Sequence, residues 1–178
     1  MSVIHTFSGK TIDPCAPDRA ALAMEDIAHA LSLTCRAGGH FSEFYSVCQH
    51  SVACAEEAAA RGCSVRVQKL CLLHDASEAY LADLTRPVKA QLPQYESYEA
   101  KLQGLIYETF AGGAPTADEQ EQLSAVDDCM LRAEFLHFMG VDLIPDGGTL
   151  LTAPSFDLLP FDDAAQAFLA LYRKLTSC

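Results

Sequence analysis

Apolar positions along this chain recur at intervals of three and four, the period of a helix with one buried face. The first such run begins after Asp18, a good N-cap, and carries Leu22, Ile27, Ala30, Leu31 and Thr34 toward Gly38-Gly39. Ser46 opens a second helix, SVCQHSVACAEEAAARG, which stops at Gly62. Ser64 caps a third, expected to run through His74-Asp75 to about Leu81. Pro87 and Pro93 interrupt the chain, and a helix over about 95–110 is closed by Gly112-Gly113. Thr116 and Glu119, three apart, form a capping box for a long helix to Met139. Residues 140–160 are rich in Pro and Gly and read as irregular; an alanine-rich amphipathic helix over about 162–175 follows. The first 17 residues contain Pro14 and Pro17 and an alternating patch from Phe7 to Ile12, which predicts an extended arm or short hairpin. The pattern therefore predicts a single all-α domain over residues 1–178, a bundle of about six helices with a short N-terminal arm.

Composition changes this picture in three ways. Half of the 178 residues are hydrophobic, enough for a real core, yet no uncharged apolar stretch nears the roughly 18 residues of a membrane span. The N-terminus MSVIHTFSGK lacks the basic start and apolar block of a secretory signal, so a cytoplasmic location is expected. The balance of 24 acidic to 12 basic residues, a net charge of −12, argues against binding nucleic-acid polymers or anionic membranes. A small phosphorylated ligand is not excluded, because it needs only a locally positive pocket. The eight cysteines include no C-x-x-C pair. Cys48, Cys54, Cys71 and Cys129 fall among apolar residues and read as reduced, structural thiols, and Cys178 as an exposed residue without a role. The alanine- and leucine-rich last helix would also suit pairing into a homo-oligomer.

The chemically odd position is His74-Asp75, at the end of an apolar run with Val67, Leu70, Cys71, Leu72 and Leu73. A carboxylate beside an imidazole entering a core needs a partner, and a divalent cation suits both. His50, mid-helix near Val47, Cys54 and Ala58, and Asp127 on a later helix could converge with the pair on one point. Two imidazoles and two carboxylates suit a transition ion with open positions for water, whether manganese, cobalt, iron, zinc or nickel.

The strings FYSVCQHSV, LLHDASEAYLADLTRPVK and VDDCMLRAE, within a region from about Asp26 to Gly140, resemble the HD-domain superfamily of metal-dependent phosphohydrolases. They are most similar to its compact bacterial and phage-type members, which include 5'-deoxynucleotidases and deoxynucleoside triphosphate triphosphohydrolases. That resemblance implies hydrolysis of a nucleotide phosphate ester or anhydride at one divalent ion, held by His50, His74, Asp75 and a downstream aspartate. Asp127 and Asp128 both qualify; Asp127 is preferred because a Glu follows seven residues on, at Glu134. The resemblance also implies that Glu78 and Asp83 sit beside the phosphate and the attacking water as catalytic groups, and that Arg36 binds the phosphate. Lys89 is a second candidate for phosphate binding. Ala37 stands where such proteins often carry a larger apolar or aromatic residue after the arginine. The alternative is an HD protein that keeps the ion without catalysis and serves as a nucleotide-binding or oligomeric module; Glu78 beside all four ligand candidates argues against it.

Overall fold

The alternating patch near the N-terminus folds into a hairpin in the computed structural model of the chain, which describes residues 3–177. Strand β1 (Ile4–His5) pairs antiparallel with β2 (Thr11–Ile12), Ile4 opposite Ile12. The turn between them is pinned to the bundle by buried Asp26, which accepts hydrogen bonds from the Ser8 backbone N–H (2.6 Å) and hydroxyl (2.8 Å). Among the described residues six helices of nine or more residues follow: α1 (Met24–Leu33), α2 (Val47–Ala60), α3 (Val65–Leu73), α6 (Pro93–Phe110), α7 (Ala117–Met139) and α8 (Phe161–Thr176). Two single helical turns, α4 (Glu78–Leu81) and α5 (Arg86–Lys89), lie between α3 and α6. The all-α class stands.

Cap chemistry explains several boundaries. Ser46 and Gln49 make a full capping box at the start of α2, Ser64 accepts from Val67 N–H at α3, and Thr116 with Glu119 does for α7 what their spacing predicts. Gly140, in the left-handed conformation at φ 67°, ends α7. Pro93 does not interrupt α6 but starts it, since a proline in the first turn forfeits no helical hydrogen bond.

Three boundaries differ from the sequence reading. Asp18 caps only a 3-10 turn, Arg19–Ala21; extended backbone at Leu22 and Ala23 then separates this turn from α1. The first helix also ends at Leu33, well before Gly38-Gly39. Thr34 turns extended, and the chain enters a two-stranded clamp in which Arg36 N–H donates to Tyr45 (2.8 Å) and Val47 N–H to Thr34 (2.9 Å). Ala37, Gly38 and Gly39, all at positive φ, form the turn inside that clamp.

The third difference is at His74. Here α3 stops at Leu73; His74 and Ser77 keep helical dihedrals, but the stretch bonds i to i−3, as in Ala76 N–H to Leu73 and Glu78 N–H to Asp75. The cause is Gln103 on α6. Its amide N–H donates to the Leu73 carbonyl (2.7 Å) and its oxygen accepts from Ser77 N–H (3.0 Å), so it stands between the two groups an uninterrupted helix would pair. His74 Nδ1 likewise takes the Cys71 carbonyl (2.7 Å), the acceptor that Asp75 N–H would have used. The break reorients Asp75 and Glu78 relative to a straight helix.

At the centre of the bundle α2 packs on α1, α3, α7 and α8. The core includes Ile27, Leu31, Val47, Leu70, Leu72, Leu73, Ile106, Met130 and Phe168, each contributing about 1.5–3 kcal/mol by burial. The buried face of α8 (Ala164, Ala165, Phe168, Leu175) is turned into this core. Cys48, Cys54, Cys71 and Cys129 are buried free thiols, as their apolar settings predict, while Cys178 lies outside the described residues. No helix among the described residues is long and apolar enough to cross a membrane.

The irregular segment 140–160 is tied down by one buried acid. Glu57, on α2, accepts from the backbone N–H groups of Leu151 (3.0 Å) and Thr152 (2.9 Å), the Thr152 hydroxyl (2.7 Å) and Arg61 Nε (2.8 Å). Burial works to raise its pKa, but these donors bring it from 4.5 down to about 2. A carboxylate depressed on folding stabilises the native state above its unfolded value, and that stabilisation fades as pH falls from about 4.5 toward 2. Glu57→Gln is therefore expected to destabilise the protein by about 1–3 kcal/mol at neutral pH. Urea titrations from pH 7 to pH 3 should show the gap to wild type shrinking on the acid side; a gap independent of pH would contradict this assignment.

Candidate metal centre and its pocket

The bundle brings four side chains predicted as ligands to one point. His50 sits in the middle of α2, fully buried, and points its Nε2 at His74 Nε2 (3.2 Å), Asp127 Oδ1 (3.2 Å) and Asp75 Oδ2 (3.7 Å). His74 Nε2 in turn lies 3.3 Å from Asp75 Oδ2 and 3.6 Å from Asp127 Oδ1. Asp128, about 100° round the same helix, faces outward toward Arg86 at 3.7 Å, so only Asp127 reaches the imidazoles.

The second nitrogen of each ring fixes the tautomer. A carbonyl only accepts, so His74 Nδ1 carries a proton toward Cys71. His50 Nδ1 lies 2.6 Å from Glu134 Oε1, a carboxylate that His50 and Arg36 hold below its usual range despite burial, and it too is a donor. With both rings neutral, their Nε2 atoms present lone pairs to each other and to two carboxylates. Such a cluster of acceptors demands a positive centre. Donor separations of 3.2–3.7 Å are those of ligands held about 2.0–2.2 Å from one shared ion. The donor set thus fits a divalent cation.

Charges around the cluster agree. Burial opposes it, but Asp75 and Asp127 hold His74 well above the ordinary histidine range, while His74 and Arg36 hold Asp75 below the carboxylate range. Protons and a cation therefore compete for the same acceptors.

Arg36, buried in the turn after α1, does not extend freely into the pocket. Its guanidinium bonds Asp75 Oδ2 (3.3 Å) on one side and Glu134 Oε2 (3.3–3.4 Å) on the other. Despite burial these acids keep it firmly cationic. A chain of contacts thus runs from Asp75 through Arg36 and Glu134 to His50. Helix α7 grips the His50 ring at both nitrogens, with Asp127 and Glu134 two turns apart.

A pocket of about 340 Å³ opens over the cluster. Its lining combines apolar Phe41, Leu131, Phe135 and Leu143 with the charged groups of Glu78, Asp83, Arg86 and Lys89. Lys89 is paired with Glu99 at 2.7 Å, and the largely exposed Arg86 reaches Asp127 Oδ2 at 3.3 Å. Burial, then the nearby Asp75 and Asp83, push the Glu78 carboxyl well above its ordinary value; Asp83 is also raised, by burial and by Asp75 against the pull of Arg36. Glu78 Oε2 is buried with no hydrogen-bond partner among the described residues.

Four participants escape a reading of the sequence. Glu134 served there only as a spacing marker, although an acid between Leu131 and Phe135 on an amphipathic helix carries the same oddness as His74-Asp75. Gln103 and Arg86 gave no signal. Cys54, read as apolar filler, places its Sγ 3.5 Å from His50 Nε2.

The comparisons agree with this architecture. Residues 39–129 match the HD-domain family, and the chain belongs to it. It is similar to the "Uncharacterized protein YfdR" of Escherichia coli, 39% identical over 110 residues, which is 62% of this chain and 59% of that protein. It is also 33% identical over 136 residues to an uncharacterized protein of Rhodobacter capsulatus, covering 71% of this chain and 68% of the relative. The match to the Escherichia coli relative thus spans about three fifths of that protein's length.

Proposed function

We propose that this protein is a metal-dependent phosphohydrolase that cleaves a phosphate ester or anhydride of a nucleotide. The observation that carries the reading is the meeting of two oriented imidazoles and two carboxylates, of which Asp75 and Asp127 reach a pocket lined also by acidic, basic and aromatic side chains. His50, His74, Asp75 and Asp127 would hold the ion, which when bound supplies Lewis acidity toward a phosphate oxygen and a more acidic water. Glu78, whose hold on a proton is strengthened by burial and its acidic neighbours, is placed to hold a proton for the leaving oxygen, and Asp83 to assist it. Arg36 fixes Asp75 and contributes positive charge beneath the phosphate. Lys89 and Arg86 at the rim would orient the phosphate chain, with Phe41 and Phe135 against the flat part of the substrate.

The purified protein should contain a transition metal, and with Mn2+ or Co2+ added it should turn over members of a panel of nucleoside mono- and triphosphates. Released orthophosphate assigns a nucleotidase, and inorganic triphosphate assigns a triphosphohydrolase. Retained metal with bound nucleotide and no product would replace the enzyme reading by that of a ligand-binding HD protein.

A further inference from the structure

We propose that the Cys54 sulfur is a ligand of the same ion, making this a mixed imidazole, carboxylate and thiolate centre. The inference deepens the metal-centre reading and rests on it. Cys54 follows His50 by one turn of α2, on the same face, and is 1% exposed. Its Sγ, a nitrogen from each of His50 and His74, and an oxygen of Asp127 all lie within 4.8 Å of one another. Asp75, which leans on Arg36, is not among these four.

A structural thiol in this protein behaves differently. Cys48 is equally buried, and its Sγ donates to the Ala164 backbone carbonyl at 3.2 Å, a satisfied contact to the main chain. Cys54 Sγ instead lies along the His50 ring, nearer Nε2 (3.5 Å) than Nδ1 (4.0 Å), and Nε2 is the atom whose lone pair is directed at the centre because Glu134 holds the proton on Nδ1. The 3.5 Å separation fits two donors about 2.1 and 2.3 Å from one ion at a near-tetrahedral angle. As the metal–sulfur bond forms, the thiol proton leaves to solvent. A sulfur donor also shifts selection toward zinc, cobalt and iron and away from manganese and magnesium.

The test uses the full chain, stripped with a chelator and titrated with cobalt(II). Wild type is expected to bind one equivalent and to show near-ultraviolet sulfur-to-cobalt charge-transfer absorption beside the visible ligand-field bands. Cys54→Ser and Cys54→Ala should keep cobalt, lose the ultraviolet band, and bind zinc at least as much more weakly as the roughly 10- to 100-fold that loss of a supporting partner causes. Wild-type protein with ligand-field bands but no charge-transfer band overturns the sulfur assignment and leaves the metal centre standing. A band that survives in Cys54→Ala belongs to another thiol and overturns it as well. Failure of wild type to retain any cobalt overturns both readings. Should one variant fail to fold, the other carries the comparison, and a wild-type spectrum without the charge-transfer band overturns the assignment by itself.

Discussion

His74→Ala is expected to abolish bound metal and phosphate release together while the helical fold survives. The side chain lies at the broken junction after α3, where its only hydrogen bond outside the cluster is from Nδ1 to the Cys71 carbonyl; that bond is worth about 1 kcal/mol, and the other contacts of the ring are to His50, Asp75 and Asp127. Its Nε2, by contrast, is within 3.6 Å of three other donor atoms of the cluster. Losing a direct ligand should weaken metal binding by more than the roughly 10- to 100-fold seen when an outer partner is lost. Asp128→Asn, one residue from Asp127 but facing outward, should leave both metal content and turnover unchanged. Elemental analysis after dialysis, together with phosphate release, checks the pair. A metal-free His74→Ala protein with full turnover would remove the metal from the mechanism; equal damage from Asp128→Asn would mean that α7 is rotated.

The fold was legible where a single residue type enforces a boundary. Ser46, Ser64 and Thr116 cap their helices because a side-chain oxygen meets an orphan N–H, and no distant partner has to be known. The break at His74 was not legible, because its cause is an amide on α6 some 26–30 residues away in sequence. A helical period through LCLLHDASEAYL reads as one helix until Gln103 is seen between Leu73 and Ser77. The centre divides in the same way. Imidazole and carboxylate beside an apolar run can be read from the sequence, since their burial is costly without a partner. The partnership among Arg36, Glu134 and His50 depends on how the turn after α1 folds over α7, which local pattern does not encode. The sequence therefore suggested Arg36 as a phosphate ligand, whereas the geometry first makes it the clamp on Asp75. The hydrophobic reading of Cys54 was correct about burial and silent about direction.

The second large effect is expected at that clamp. Glu134→Ala should cost about 3–5 kcal/mol of stability, because it leaves the buried guanidinium of Arg36 without one of its two carboxylates and strips the acceptor from His50 Nδ1. Glu134→Gln preserves shape and one acceptor but removes the charge, so it should lose less stability while metal affinity still falls about 10- to 100-fold through the unfixed His50 ring. The charge argument makes a further demand. If most of the penalty is Arg36 left uncompensated, then Arg36→Met combined with Glu134→Leu must be less harmful than the two single changes added together. The expected coupling is about 0.5–3 kcal/mol. Urea unfolding at pH 7 of the wild type, both singles and the double measures it. Strict additivity would mean that Arg36 is held by Asp75 alone, and that Glu134 acts only on the imidazole.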